Sequence, residues 1–177
     1  LSLALDLGDR SERLGWRLNV EAASLDPQTR SSRGHRHLAA LALDTELGRG
    51  GLLEFEIESS LQSQPSTPGF SLLGAQLPAA AAIDPRLNLN NQPWRLPVVF
   101  RGDTGSLRFT QSLSSDWQVV AHAMRQQLRT DDRIAFPFGC GAENAYDRYC
   151  RDGSFDLYDY RSEGERRDTL AGSVVLA

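Results

Sequence analysis

Along most of the chain, apolar side chains recur at every second position rather than at the spacing of a helix, which predicts strands. Leu1, Leu3, Leu5 and Leu7 alternate with Ser2, Ala4 and Asp6, and Trp16, Leu18, Val20 and Ala22 alternate with Arg17, Asn19 and Glu21. A third strand is expected from about Arg36 to Leu47, ahead of the turn Gly48-Arg49-Gly50-Gly51. The fourth has the cleanest pattern. Leu53, Phe55, Ile57 and Leu61 fall on one face and Glu54, Glu56, Glu58, Ser60 and Gln62 on the other, so three carboxylates share one wet surface. Alternation returns with Leu107, Phe109 and Leu113 opposite Ser106, Arg108, Thr110 and Ser112. It continues with Trp117, Val119, Ala121 and Ala123 opposite Gln118, His122 and Gln126, where Val120 and Met124 blur the polar side. A seventh strand is expected from near Phe155 through Tyr160, Ser162 and Arg166, and an eighth from near Leu170 to Ala177.

The connections alternate in length. Gly8 to Gly15, Gly48 to Gly51 and Ser114 to Asp116 are short, whereas Leu25 to His35, Ser63 to Gly102 and Thr130 to Gly153 are long. Antiparallel neighbours then place the short turns at one end and the long loops at the other. The expected fold is therefore all-β, an antiparallel up-and-down meander forming part of an outer-membrane β-barrel, whose periplasmic turns are short and external loops long. A soluble, secreted β-sandwich binding module with loops elaborated at one end, for a carbohydrate or protein ligand, is the alternative. Trp16 and Trp117 each follow a short turn, where an interfacial aromatic girdle belongs. The Glu54, Glu56 and Glu58 row suits either reading, because it would face an aqueous lumen in one and bulk solvent in the other.

Composition narrows the classes. The chain has 177 residues with 40% hydrophobic and 24% charged side chains, which is globular in character. Its longest apolar runs, Leu38 to Leu43 and Leu77 to Ile83, are too short for a helical membrane span. A net charge of −4 disfavours nucleic acid as a partner. All nineteen basic residues are arginine, a reserve of planar bidentate donors for oxyanions that a GC-rich genome would also produce. No initiator Met, basic n-region or cleavage site opens the chain. Cys140 and Cys150 lie without a nearby His or Cys to complete a metal site, and a local disulfide is expected, which points to an oxidising compartment.

Several segments resemble the barrel of TonB-dependent ferric-siderophore receptors. They are Ser31 to His35, the Pro-Gly-Phe step within Gln64 to Phe70, Ile83 to Trp94, and Ser154 to Glu163. The resemblance spans nearly the whole chain. It implies a barrel domain over 1–177 with about seven to eight strands and no plug domain, that is, part of a larger 22-stranded barrel. It also implies uptake of a ferric siderophore across the Gram-negative outer membrane, with outer-membrane lipid around the wall and the TonB complex acting through the absent plug. Iron would enter only as the siderophore's cargo, with no cofactor of the protein's own. Bulky anionic chelates suit arginine and aromatic contacts. The candidate ligand-binding residues are Arg33, His35, Arg36 and His37 in one loop, Trp94 and Arg95 in the next, and Phe136, Phe138, Tyr146, Arg148 and Tyr149 around the cysteine pair.

Other chemistries find less support. His35 and His37 would share a face, but two ligands do not make a metal site. Asp131 and Asp132 lack the spacing of a calcium loop and are expected to be solvated. Ser114 and Ser115 carry no nucleophile-elbow glycine pattern, and the glutamate row has no convergent acid or base partner. The Gly48 to Gly51 turn lacks the Lys-Ser/Thr of a phosphate loop. The chain is accordingly expected not to be an enzyme.

Overall fold

In a computed structural model, residues 1–69, 72–73 and 79–177 are described. Phe70, which completes the Pro-Gly-Phe step, and Leu77 and Pro78 of the second apolar run lie outside the described residues. Seven strands form one antiparallel sheet: β1 (Ser2–Arg10), β2 (Leu14–Leu25), β3 (Gly34–Gly48), β4 (Gly51–Gln64), β6 (Val98–Ser112), β7 (Gln118–Pro137) and β9 (Leu157–Leu176). A small parallel pair joins β5 (Leu72–Leu73) to β8 (Arg148–Tyr149). In the main sheet each strand pairs with the next in the order β1-β2-β3-β4-β6-β7-β9, a meander without crossovers.

The turns at one end are tight. Between β3 and β4, Arg49 and Gly50 both have positive φ, 51° and 76°, the geometry of a two-residue hairpin whose twist matches the strands. At the β6–β7 turn the Leu113 N–H donates to the Trp117 carbonyl at 2.9 Å. Residues 26–33, 65–97 and 138–156 connect the strands at the opposite end. The sorting expected from the sequence is therefore present.

Register separates the two faces. One row reads Leu7, Leu18, Leu41 and Ile57 across β1 to β4, and the next reads Trp16, Leu43, Phe55, Leu107 and Ala123 across β2 to β7. Nothing among the described residues covers this face: Leu5 is 49% exposed and Ile57 48%. The few buried apolar residues are Ala23, Val99, Ala135, Cys140, Ala145 and Cys150, none of them a large aliphatic. A sandwich would bury these leucines and phenylalanines between two layers. This sheet leaves them open on one side.

The other face is polar and concave. Arg17, Asn19, Glu56, Glu58, Thr104, His122 and Met124 line a hollow of about 670 Å³. Ion pairs lace it: Arg17 to Asp6 at 2.6 Å, Arg36 to Glu21 at 2.6 Å, Arg10 to Asp44, and Arg108 to Glu54 at 3.7 Å. The glutamate row thus faces the hollow, with the outermost of the three carboxylates matched by an arginine directly across the strand pair.

Two of the expected strand divisions are corrected. The separate seventh and eighth strands are one strand, β9, with 20 residues. A bulge interrupts it where Gly164 takes φ 73°, and Asp131 accepts the Gly164 N–H at 2.9 Å, so Asp131 is engaged rather than merely solvated. Second, β6 begins at Val98, inside the interval expected as loop, and β7 runs to Pro137. The 20 residues of β7 and of β9 each span about 66 Å at 3.3 Å per residue, roughly twice what a tilted membrane strand needs.

Candidate ligand-binding site at the loop end

Asparagine side chains tie the two loops over β2 to β6 together. Asn88 and Asn90 are 2% and 1% exposed. Asn88 donates through Nδ2 to the Arg30 carbonyl at 3.1 Å, and its Oδ1 accepts the Asn90 N–H at 2.9 Å. Asn90 in turn donates to the Ser66 carbonyl and hydroxyl, both at 2.9 Å, and accepts from Gln92 Nε2 at 2.8 Å. The Arg30 N–H donates to the Arg86 carbonyl at 2.8 Å. Asn88, Asn90 and Gln92 lie inside the Ile83 to Trp94 segment, yet sequence reading did not single them out, because a buried asparagine and an exposed one look alike in a loop.

Beside this stitching lies an open cavity of about 580 Å³ lined by Arg30, Arg33, Arg86 and Arg95, with Asp26 and Pro65 among the other walls. Two of the guanidiniums are neutralised, Arg30 by Asp84 at 2.7 Å and Arg33 by Asp26 at 2.9 Å. Arg86 and Arg95 have no carboxylate partner among the described residues; the Arg95 side chain donates only to the Gln92 carbonyl at 3.4 Å. Of the residues singled out from the sequence, Arg33 and Arg95 line this same cavity. Arg30 and Arg86 join them without having been singled out. Trp94, beside Arg95, is about half exposed.

The remaining candidates divide. Arg36 lies on the concave face, held by Glu21, whereas His35 and His37 lie on the apolar face with their rings 5.4 Å apart, so the three do not converge. Phe136 and Phe138 form a cluster with Tyr158: Phe136 stacks on Tyr158 at 5.9 Å and Phe138 meets it edge-on at 5.4 Å. Register with β9 supplies Tyr158, which sequence reading left unassigned as part of a polar strand. Tyr149 packs on Phe155 at 5.2 Å, Tyr146 is exposed, and Arg148 lies 3.8 Å from Asp147.

Cys140 and Cys150 form the expected disulfide. Glu143 approaches the same sulfurs, but bonded sulfurs are not thiolates, and Glu143 accepts the Arg151 N–H at 3.0 Å. Gly139 is required there: φ is 72°, and a Cβ would stand 2.7 Å from the Tyr146 Cα. Asp156 Oδ2 accepts the Gly141 N–H at 2.6 Å and anchors the loop to β9. In the same loop the Ser154 hydroxyl, and after it the Ser154 N–H, donate to Asp152 and hold its carboxyl below the usual carboxylate range.

Neither a protein-family model nor the sequence of a curated protein matches the chain. Two solved structures match it in shape, both of the ferric-catecholate import receptor Fiu from E. coli K12. The closed form superposes with a TM-score of 0.80 at 15% identity over 99% of this chain and 26% of the receptor. The open form gives 0.76 at 14% identity over 99% of this chain and 28% of the receptor. The sheet has the fold of a receptor-barrel wall. The chain spans about a quarter of the length of the receptors it matches.

Proposed function

We propose that this chain is part of the wall of a Gram-negative outer-membrane receptor that captures a ferric siderophore at its loop end. Uptake would be energised through TonB by way of a plug carried by the rest of the receptor. Iron is cargo in this reading, arriving chelated, and no resident cofactor is invoked. The observation that carries it is the pairing of an uncovered apolar sheet face with a loop cavity holding two unmatched guanidiniums. An apolar face of this extent needs hydrocarbon or a second layer, and no second layer lies against it among the described residues. The cavity suits an oxygen-rich anion, and the Phe136, Phe138 and Tyr158 cluster offers flat surface to the aromatic rings of a catecholate.

The test is a binding titration on the intact receptor, read by quenching of tryptophan fluorescence with a ferric catecholate chelate. Charge-assisted hydrogen bonds contribute about 1.5–3 kcal/mol each, so Arg86→Gln with Arg95→Gln, which removes at least one from each residue, should weaken binding by about 150-fold or more. Unchanged affinity in that double variant would overturn the assignment of the cavity.

A further inference from the structure

The chain of amides that stitches the loops together ends on an unmatched acceptor. Asn90 donates through Nδ2 to the Ser66 carbonyl, which can only accept, so the Asn90 amide has one possible orientation and its Oδ1 must face Gln92. Gln92 meets it with Nε2 at 2.8 Å, which turns Gln92 Oε1 the other way. That oxygen is buried and has no hydrogen-bond partner among the described residues. Buried acceptors left unpaired are costly and rare in folded proteins.

Gln92 lines a cavity of about 10 Å³ where the loop meets the upper strands, together with Arg95 of the loop, Arg133 and Ala135 of β7, and Asp159 and Arg161 of β9. That is room for one water molecule. Charge excludes the other small occupants. Arg161 is matched by Asp159 Oδ2 at 3.0 Å, and Arg133 by Glu163 at 2.6 Å, with a further bond to the Pro97 carbonyl at 3.3 Å. An anion here would meet the Asp159 carboxylate and the Gln92 acceptor, and a bare cation would meet three guanidiniums. Water can donate to both oxygens and accept from a guanidinium.

Arg95 connects this small space to the larger one, because it lines both cavities. Its side chain is otherwise held only by the long bond to the Gln92 carbonyl at 3.4 Å. We propose that Gln92 Oε1 seats one water molecule that bonds the Arg95 guanidinium from behind, which makes Gln92 a positioning residue for the anion cavity. A guanidinium held in this way keeps its remaining N–H groups for the larger cavity, and its rotamer freedom is lost before the chelate arrives rather than on binding. The positioning role rests on the proposed function of that cavity; the water seat itself does not.

The test combines a crystal structure of the intact receptor, soaked in sodium bromide, with the fluorescence titration against the ferric catecholate chelate. One oxygen atom is expected within hydrogen-bond distance of both Gln92 Oε1 and the Arg95 guanidinium, with no anomalous bromide signal there. A bromide signal at that point, or no ordered atom between the two groups, overturns the seat without any variant having to fold. Gln92→Met, of similar length but without the acceptor, should weaken chelate binding by about 3- to 10-fold in the wild type and not at all in an Arg95→Gln background, because Gln92 acts through Arg95. Unchanged affinity of Gln92→Met in the wild type overturns the positioning role. So does a loss of equal size in both backgrounds, which marks general damage to the loop. Unchanged affinity of Arg86→Gln with Arg95→Gln refutes the anion cavity and the positioning role with it. An affinity that depends on Arg95 without the ordered water refutes this site and leaves the cavity's proposed function standing.

Discussion

Phe55 sits in the middle of the apolar belt, between Leu43 and Leu107 in register and 38% exposed. Its neighbour in sequence, Glu56, faces the hollow between Ala42 and Ser106. On the proposed membrane orientation, replacing Phe55 with arginine puts a guanidinium against hydrocarbon, at a cost of about 2–4 kcal/mol near the bilayer midplane. That is a shift of about 30- to 900-fold in the folding equilibrium. Glu56→Gln removes a charge from a wet surface and should stay within about 0.5 kcal/mol of wild type. The assay is urea-dependent folding of the intact receptor into phosphatidylcholine vesicles, followed by tryptophan fluorescence and by heat-modifiable gel mobility. Burial of Phe55 in protein would also make arginine costly, but among the described residues no layer covers its side chain. Equal stability of Phe55→Arg and wild type would mean that this face meets water, and the membrane orientation would fall.

Three further outcomes follow from the loop end. Asn90→Ala removes the donor to Ser66 and the acceptor for Gln92 at a buried position, and should cost about 1–3 kcal/mol locally, visible as faster amide exchange across residues 26–33 and 86–92 with the sheet unaffected. Reducing the Cys140–Cys150 bond releases a loop with a sequence separation of 10, worth about 2–3 kcal/mol in the chain-entropy account, and should expose residues 141–152 to limited proteolysis while the Phe136–Tyr158 stack persists. The Asp152 carboxyl should titrate below 3.8 by NMR and return towards that value in Ser154→Ala. Because its folded value is depressed, its contribution to loop order is complete above the unfolded value and is lost as pH falls through the folded one.

How far the fold can be read from the chain depends on where each strand stands. In β4 one face is apolar and the other polar throughout, so Leu53 to Gln62 alternates cleanly and every residue of that pattern is found on its expected face. In β9 the lower half, Leu170 to Leu176, alternates, but above it Arg166 and Asp168 occupy outer positions and Arg167 and Thr169 inner ones. Both faces are wet there, the contrast that marks a strand disappears, and Gly164 adds a residue that breaks the parity. One strand consequently reads as two. The start of β6 is hidden in the same way, with Arg101 and Asp103 on one side and Gly102 and Thr104 on the other. At the rim, aromatic and arginine residues were legible by type, but convergence was not: Arg30 joins Arg86 through backbone pairing across 56 positions of sequence, and Tyr158 reaches Phe136 only through strand register.

The unequal reach of the strands shapes how a visitor arrives. β2 and β3 stop at the level of Leu25 and Gly34, whereas β7 and β9 climb on together from Asp132 and Ser162 to Pro137 and Leu157, about 17 Å farther at 3.3 Å per residue. The rim is therefore stepped, with stacked rings on the high side and guanidiniums on the low one. On the proposed function, a flat-ringed chelate descending from outside would touch greasy aromatic surface first and meet the arginines second, a staged landing that a level rim could not provide.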